Sequence, residues 1–363
     1  MNENNAYVFN AKWHQAIFPY RIRNKRLKQL GSALFFPLFF LLRIGRAICR
    51  RKLLPASSYR KKEARTTAAI FLRRWSVEGE NSLRKNFDVY NILLHTPDGA
   101  AISGVYYAHK EKTPDTPVVL LFQPNGSLVK HGEYEWLLAS CQERNIVANF
   151  VTIDYRGCGE SSGRARKASD LILDGDTLYQ YVRTCLQSDP ARIVFYGHSL
   201  GASVAAFVKS LYPNQPIKYV NERSFASITQ LFSLRYPRMG GVFSWIMRSL
   251  DWELDVSDQW SSLRGEKLVL FQKNDAIIPY RASLHYFLQA KSRKSTSYVE
   301  LTPYTSLSSA AFHHSLPLKN YIDKHTSLCA EKRVLDFLFD FSSEKKAKEE
   351  SRSSAGEKSL LNG

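Results

Sequence analysis

The stretch that decides the fold is RIVFYGHSLGASVAAFV, residues Arg192–Val208. Residues Arg192–Tyr196 are mostly β-branched or aromatic and predict a buried strand, while Ala202–Val208 predicts a helix. The five residues between them follow the pattern Gly-x-Ser-x-Gly, with Ser199 at its centre. Small residues around a serine suit a sharp strand-to-helix turn that lifts the hydroxyl above the edge of a sheet. The stretch therefore predicts a nucleophile at Ser199.

Around this stretch the chain alternates short β-branched or aromatic runs with longer helical stretches. This alternation is typical of an α/β fold with a mostly parallel central sheet and helices on both faces. Strands are predicted at Asp88–Thr96, Ala101–Ala108, Val118–Gln123, Val147–Asp154, Arg192–Gly197, Ile217–Asn221, Lys267–Gln272 and Tyr298–Leu301. Helices are predicted at Gly132–Glu143, Ala168–Cys185, Leu200–Leu211, Tyr280–Ala290 and Ala330–Phe341.

A serine nucleophile needs a base and an acid that orients the base, and in this kind of fold both follow the serine in the chain. Asp275 comes shortly after the predicted strand Lys267–Gln272 and is the candidate acid, the alternative being a turn or helix-capping aspartate. The base must come later still. His285 falls within the helix after the acid, whereas His313 and His314 follow the last predicted strand by a loop. His314 is the preferred base and His313 is the alternative.

Acyl transfer also needs backbone N–H groups that stabilise an oxyanion. One of them is the N–H of Leu200, at the start of the predicted helix. The second is expected from the loop Gln123-Pro124-Asn125-Gly126-Ser127, which follows a predicted strand. Asn125 is the preferred donor because proline has no N–H. The alternative is an ordinary strand-ending turn, which readily contains an Asn-Gly pair.

Four motifs stand in order along the chain. They are DYRGCGESSGRA at Asp154–Ala165, GHSLGAS at Gly197–Ser203, NERSFAS at Asn221–Ser227 and KNDAIIP at Lys273–Pro279. Together they resemble the α/β-hydrolase superfamily, particularly its membrane-linked serine hydrolases, over roughly residues 88–340. With the basic N-terminal arm in front of it, this domain is similar, more narrowly, to the chlamydial CHLPS proteins.

The resemblance implies a set of site residues and no metal or organic cofactor. The implied residues are Ser199 as nucleophile, Asp275 as acid, His314 or His313 as base, and Asn125 and Leu200 as oxyanion donors. Two positions depart from the usual pattern of the superfamily. Gln123-Pro124 replaces His-Gly before the oxyanion residue, and Phe312 or His313 replaces the glycine before the base.

Residues 1–75 form a strongly basic arm. They carry 17 Lys/Arg and 2 Asp/Glu, while the other 34 basic and 31 acidic residues nearly balance, so the formal net charge of +18 belongs mostly to the arm. This asymmetry argues against a nucleic-acid-binding face on the main domain. Within the arm, residues 30–42, LGSALFFPLFFLL, are uncharged and apolar, with basic residues on both sides.

The arm predicts membrane association. A spanning helix needs about 20 apolar residues, so an interfacial or single hydrophobic anchor near residues 30–48 is favoured over a full span. The flanking Lys and Arg side chains favour an anionic membrane surface as the partner of residues 21–65. The alternative is a helix buried against the main domain with a solvated basic face.

The main domain, an α/β-hydrolase domain by the resemblance, is predicted at residues 76–341, with a disordered polar tail at 342–363. Residues 228–258 are rich in Phe, Trp, Leu and Met and predict a short lid over the serine, unless these side chains simply pack on the core. Five scattered cysteines, an odd number, favour a reducing compartment.

The whole pattern predicts a membrane-associated serine hydrolase that cleaves an ester or thioester of a lipid or acyl chain through a Ser-His-Asp triad and an acyl-enzyme. Two other functions fit the same residues. One is a catalytically weak hydrolase fold that serves as a binding or effector protein, and the other is an acyltransferase with the same triad. The residues do not specify an oligomeric state.

Overall fold

The computed structural model describes residues 7–12, 36–53, 83–289, 296–303, 314 and 317–340. The alternative base His313, the polar tail, most of the basic arm and residues 30–35 of the predicted apolar segment lie outside these ranges. Among the helices that are described, none is long and apolar enough to cross a membrane.

Ten strands form one sheet. Their bounds are β1 Tyr7–Asn10, β2 Phe87–His95, β3 Ala101–His109, β4 Val118–Phe122, β5 Asn149–Ile153, β6 Ile193–His198, β7 Lys218–Glu222, β8 Lys267–Phe271, β9 Thr296–Pro303 and β10 Tyr321–Asp323. The order across the sheet is β1-β2-β3-β5-β4-β6-β7-β8-β9-β10. Neighbours from β5 to β9 in this order are parallel. The predicted mostly parallel α/β sheet is therefore confirmed.

Helices cover both faces of the sheet. Their bounds are α1 Phe36–Leu53, α2 Glu135–Glu143, α3 Ala168–Thr184, α4 Leu200–Ser210, α5 Ile228–Arg235, α6 Gly240–Ser249, α7 Val256–Gln259, α8 Leu284–Leu288 and α9 Ala330–Phe339. One buried cluster joins α3, α4 and α8 to one face, and a second joins α2 and α9 to the other. Strands β4 to β8 are buried throughout, because helices on both faces exclude water from them.

The eight predicted strands agree with the observed ones to within one or two residues at each end. Strands β1 and β10 were not predicted. The helix predicted from Gly132 begins only at Glu135, because Gly132 has a φ of 67° and ends a short 3-10 turn. A left-handed backbone conformation of this kind cannot continue into an α-helix.

The predicted helix Tyr280–Ala290 is wrong at its start. Residues Tyr280–Ala282 form a single 3-10 turn, and Ser283 is extended, with φ −66° and ψ 149°. The Ser283 hydroxyl accepts a hydrogen bond from the Tyr286 N–H at 3.3 Å, which caps a new helix beginning at Leu284.

The strand β1 brings part of the N-terminal arm into the central sheet. It pairs in parallel with β2, with Tyr7 opposite Ile92. The Phe9 ring packs edge-on against Tyr181 of α3, at 5.9 Å between centroids. The arm therefore contributes an edge strand to the main domain.

Helix α1 also packs on the main domain. Cys49 is buried in the larger core cluster, and the Arg46 guanidinium is 3.2 Å from the Asp251 carboxylate. Arg43 and Arg51 are exposed. The second half of α1 therefore contacts the main domain, while Ile44 and Ile48 stay exposed. Membrane association of the arm stays a prediction.

Helices α5 and α6 form a hairpin within the region predicted as a lid. Gly240 permits their close approach, because a Cβ at this position would lie 2.6 Å from Ser233 Cα. The hydroxyls of Ser233 and Ser244 are hydrogen-bonded at 2.9 Å, and the rings of Phe232 and Phe243 are 6.0 Å apart. The lid function of this hairpin stays a prediction.

Candidate active site

Ser199 lies in the turn between β6 and α4. Its backbone has φ 53° and ψ −121°, a positive φ that residues with a side chain rarely adopt. The turn leaves no room for a side chain at either flanking glycine. A Cβ on Gly197 would lie 2.4 Å from Ala202 Cα, and a Cβ on Gly201 would lie 2.0 Å from the Phe122 carbonyl oxygen. The turn holds Ser199 at the carboxyl end of β6, in the strained conformation expected of a nucleophile.

The last residue of β7 and the segment after it hold this turn in place. The Ser199 N–H donates to the Glu222 carbonyl oxygen at 2.9 Å. The Ser224 hydroxyl donates to the Ser199 carbonyl oxygen at 2.7 Å, and it is also hydrogen-bonded to Ser203 of α4 at 3.1 Å. Both backbone polar groups of Ser199 are satisfied, so its hydroxyl is the part of the residue left for chemistry.

Asp275 follows β8, two strands away from β6 in the sheet. Its Oδ1 accepts the backbone N–H groups of Ile277 at 2.8 Å and Ile278 at 2.9 Å, and its Oδ2 lies 2.6 Å from Nδ1 of His314. Burial alone would raise the pKa of Asp275. The hydrogen bond and charge of His314, together with the two backbone donors, outweigh burial and lower the pKa. Asp275 is therefore a carboxylate that orients an imidazole.

His314 lies in the connection between β9 and β10 and is buried. Its Nδ1 faces Asp275, and its Nε2 is buried without a hydrogen-bond partner among the described residues. The ring packs against His198, with centroids 4.8 Å apart and planes at 37°. The structure therefore brings the predicted acid and the preferred base together, and it places the His314 ring against His198, the residue before Ser199. Among the described residues, His314 makes no hydrogen bond with the Ser199 hydroxyl.

The surroundings of His314 favour its neutral form. Burial lowers the pKa of His314, the hydrogen bond with Asp275 opposes this, and the positive charges of His198 and Arg223 lower it further. The net pKa lies below the ordinary histidine value. A neutral imidazole with a free Nε2 can accept a proton at about pH 7.

A second carboxylate–imidazole pair lies next to the first. Glu133 Oε1 is 2.9 Å from His198 Nδ1, and the backbone N–H of His198 donates to the Tyr134 hydroxyl at 3.1 Å. Sequence reasoning missed Glu133, which stands 65 residues from His198 in the chain. The histidine inside the Gly-x-Ser-x-Gly pattern was the one local signal that could have pointed to this pair.

A buried ion pair lies beside the turn. The side chains of Glu222 and Arg223 are each 3% exposed and bind one another. The Tyr196 hydroxyl donates to Glu222 Oε2 at 2.5 Å, and the Arg223 guanidinium lies 5.4 Å from the centroid of the Tyr321 ring. The pair therefore ties β6, β7 and β10 together at the sheet edge that carries the site.

The predicted oxyanion loop follows β4. Gln123 is buried, and its Nε2 donates to Thr152 Oγ1 at 2.8 Å, which anchors the start of the loop to β5. Asn125 is exposed, and Leu200 is buried at the first position of α4. Neither Asn125 nor Leu200 donates its backbone N–H to another described residue. Neither N–H group is therefore used by the backbone hydrogen bonds of the described structure.

Comparisons with known proteins agree on the class of fold. A family profile described as the alpha/beta hydrolase family matches residues 128–340, more than half of the chain. Protein bem46 of Schizosaccharomyces pombe is 25% identical over 159 residues, covering 44% of this chain and 52% of bem46. The lysophosphatidylserine lipase ABHD12 of Danio rerio is 27% identical over 184 residues, covering 47% of each protein. The chain therefore spans about half the length of these two relatives.

Among solved structures, dipeptidyl peptidase 4 of Porphyromonas gingivalis superposes with a TM-score of 0.51 at 16% identity. The superposition covers 70% of this chain and 36% of that protein. At this level of identity the likeness concerns the fold alone.

Proposed function

Since the chain belongs to the alpha/beta hydrolase family, we propose that it is a serine hydrolase that cleaves an ester or thioester through an acyl-enzyme. One observation carries the proposal: His314, bound to the buried Asp275, packs against His198, and His198 directly precedes Ser199 in its strained turn. Serine, acid and histidine also occur in the chain order that this fold uses for its triad. The proposed roles are Ser199 as nucleophile, His314 as base and Asp275 as acid.

In the first step, His314 Nε2 accepts the hydroxyl proton while Ser199 Oγ attacks the carbonyl carbon. Asp275 stabilises the imidazolium that forms, since its lowered pKa keeps it ionised. The backbone N–H groups of Leu200 and Asn125 bind the oxyanion of the tetrahedral intermediate. His314 then protonates the leaving alcohol or thiol, and the acyl-enzyme remains.

In the second step, water attacks the acyl-enzyme with His314 again as base, which releases the acid and restores Ser199. The backbone contacts of Ser199 with Glu222 and Ser224 keep the nucleophile in one position through both steps. Such fixed geometry is a large part of the rate advantage of an enzyme over a reaction in solution.

The proposed substrates are esters of lipids or of acyl chains. Two observations support this class. The aromatic hairpin α5–α6 contacts the acid loop, because Arg235 donates to the Ala276 carbonyl oxygen at 3.0 Å, next to Asp275. ABHD12, a relative over about half its length, is named as a lysophosphatidylserine lipase. Residues 228–258 would then form the lid that shapes the acyl pocket.

Membrane association belongs to the same proposal, with an interfacial anchor near residues 30–48 and an anionic surface bound by residues 21–65. Helix α1 begins at Phe36, inside the apolar segment, and continues into basic residues. Such a helix suits the boundary between acyl chains and anionic headgroups. The narrower similarity to the chlamydial CHLPS proteins rests on this arm together with the domain and is proposed with it.

Labelling with a fluorophosphonate probe tests the serine chemistry. We expect the full chain to be labelled and Ser199→Ala to be unlabelled. His314→Ala is expected to react at least about 10³-fold more slowly, because the hydroxyl loses its base. His313→Ala and Ser262→Ala, which changes an exposed serine outside the site, are the controls and should react at the wild-type rate.

Equal labelling of the wild type and Ser199→Ala would contradict the proposal and favour a binding protein on the same fold. Loss of labelling in His313→Ala but not in His314→Ala would transfer the role of base to His313. Product analysis with added alcohols separates hydrolysis from acyl transfer to an acceptor other than water.

A further inference from the structure

Four large apolar side chains are exposed in and beside α6. The exposed fractions are 46% for Tyr236, 53% for Met239, 52% for Val242 and 69% for Trp245, the most exposed large apolar side chain of the described residues. Met239, Val242 and Trp245 are spaced three residues apart and so share one side of the helix. Tyr236, Met239, Val242 and Trp245 together are termed the apolar lid face.

Other side chains of α6 already pack inward. Met247 is buried, and Ile246 packs against the larger core cluster. Phe243 contacts the ring of Tyr236 at 5.3 Å between centroids. Met239, Val242 and Trp245 are thus not needed to complete the core, and a group of exposed apolar side chains is typical of an interaction site.

The hairpin that carries this face is basic. Residues 228–250 contain no Asp or Glu. Three exposed arginines lie in them: Arg235, Arg238 and Arg248. The two acidic residues that follow each face an arginine, Asp251 at 3.2 Å from Arg46 and Glu253 at 3.8 Å from Arg248. The charge around the apolar lid face therefore complements an anionic surface.

The hairpin connects helix α1 with the active site. At the end of α6, Gly45 of α1 packs on Leu250, so closely that a Cβ on the glycine would lie 3.0 Å from Leu250 Cδ1. At the end of α5, Arg235 binds the Ala276 carbonyl oxygen, adjacent to Asp275. A surface bound by the apolar lid face would therefore lie next to both the N-terminal helix and the acid loop.

We propose that the apolar lid face docks on an anionic bilayer and that lipid esters reach Ser199 from this side. Exposed tryptophan, tyrosine and methionine side chains ringed by arginines match the boundary between acyl chains and anionic headgroups. The hairpin itself carries no acidic side chain that an anionic surface would repel. The docking deepens the proposed function, on which its lipid-ester substrate rests, but the docking itself is measured independently of catalysis.

Docking is tested with the full chain and vesicles of phosphatidylcholine with or without phosphatidylglycerol. Bromine-labelled lipids quench tryptophan emission in the bilayer, and Trp245→Phe isolates the contribution of Trp245 among the six tryptophans. We expect quenching on anionic vesicles that Trp245→Phe reduces and that added salt weakens. Equal quenching of the wild type and Trp245→Phe would overturn the docking of this face, even where the arm binds the vesicles.

A second experiment compares the rate at which an ester in vesicles is hydrolysed with the rate for a soluble ester. Val242→Asp and Trp245→Asp should lower the ratio of the two rates about tenfold or more, because each places a charge in the lipid contact. Leu328→Asp is the matched control, since Leu328 is 42% exposed and lies outside the hairpin, before α9. Its ratio should equal that of the wild type.

Fluorophosphonate labelling distinguishes failure of the proposed function from failure of the docking proposal. A wild type that is unlabelled but shows quenching by Trp245 would overturn the proposed function and support docking. A labelled wild type without quenching by Trp245 would overturn docking alone. If Trp245→Asp instead dissociates a dimer in sedimentation experiments, the occupant is a second copy of the chain and the bilayer proposal is overturned.

Discussion

At the scale of single residues, the site contains two histidines, each bound to a carboxylate. Asp275 binds His314 and Glu133 binds His198, and the two rings pack at 4.8 Å. A positive charge on one ring acts strongly on the other, because the site is buried and water screens little of the interaction. The protonation of His314 therefore depends on both pairs.

His198→Asn is expected to change the pH dependence of kcat/KM. The charged or titratable groups that act on His314 are Asp275, His198 and Arg223. Because the base must be neutral, activity falls as the pH drops through the pKa of His314, which lies below the ordinary value of about 6.5. His198→Asn removes an electrostatic effect that lowers the pKa of His314, so the fall in activity on the acid side moves to higher pH.

The measurement is kcat/KM on a soluble ester across the acid range. His325→Asn serves as the control, because His325 is an exposed histidine before α9 and should leave the acid limb unchanged. If kcat/KM of His198→Asn falls at the same pH as that of the wild type, or at a lower pH, the electrostatic action of His198 on His314 is contradicted.

Sequence patterns placed Ser199, Asp275 and His314 relative to the strands, since the chain order of this fold fixes which strand each one follows. They did not identify Glu133 or Ser224. These residues meet their partners across 65 and 25 residues of chain. A local pattern can single out one member of such a pair, such as His198, but its partner becomes known only when the strands are packed side by side.

At the scale of elements, the β6–α4 turn is shaped by its packing against β4. A Cβ on Gly201 would lie 2.0 Å from the Phe122 carbonyl oxygen and 2.6 Å from that of Gln123. Gln123 begins the loop that carries Asn125. The close approach of Gly201 to the carbonyl groups of Phe122 and Gln123 therefore sets the distance between the nucleophile turn and the predicted oxyanion loop.

Gly201→Ala is expected to lower the free energy of unfolding by about 3 kcal/mol, because the added methyl group collides with backbone that cannot move without shifting β4. The control is Gly241→Ala on α6, where a Cβ would meet nothing within 4 Å. This variant should unfold at the same urea concentration as the wild type or at a slightly higher one. Equal stability of the two variants would contradict the steric account.

The central elements were predictable and the outer ones were not. Strands β4, β5, β6 and β8 are buried on both faces and so appear in the sequence as mostly apolar runs. Strand β7, KYVNE, is equally buried but contains three polar residues. β1 and β10 have four and three residues, too few for a periodic pattern. The start of α8 depends on the extended conformation of Ser283, which a helical pattern across 280–290 conceals.

At the scale of the whole molecule, the described parts of the N-terminal arm are attached to the main domain. The Lys12 N–H donates to Gln180 Oε1 at 2.9 Å, and Gln180 Nε2 donates to the Lys12 carbonyl oxygen at 2.8 Å. Phe9 and Cys49 pack with the larger core cluster. Charge identified this arm in the sequence, but charge carries no information on where an arm packs.

A chain that begins at residue 76 is expected to unfold at lower temperature than the full chain. It lacks β1 and α1, and the loss of the contacts of Phe9 and Cys49 should cost about 2–4 kcal/mol of the free energy of unfolding. A chain that ends at Asp340 is the control, because it keeps every described element. Identical thermal transitions for the full chain and the chain from residue 76 would contradict a stabilising role of the arm.

The pairing of β1 with β2 also ties folding to the order of synthesis. Tyr7 leaves the ribosome first, and its partner Ile92 follows only after the whole basic arm has been made. Domains form from the N-terminus as translation proceeds, yet this strand has nothing to pair with until the arm is complete. The outer edge of the sheet is therefore closed by a strand that is synthesised before every other strand of the sheet.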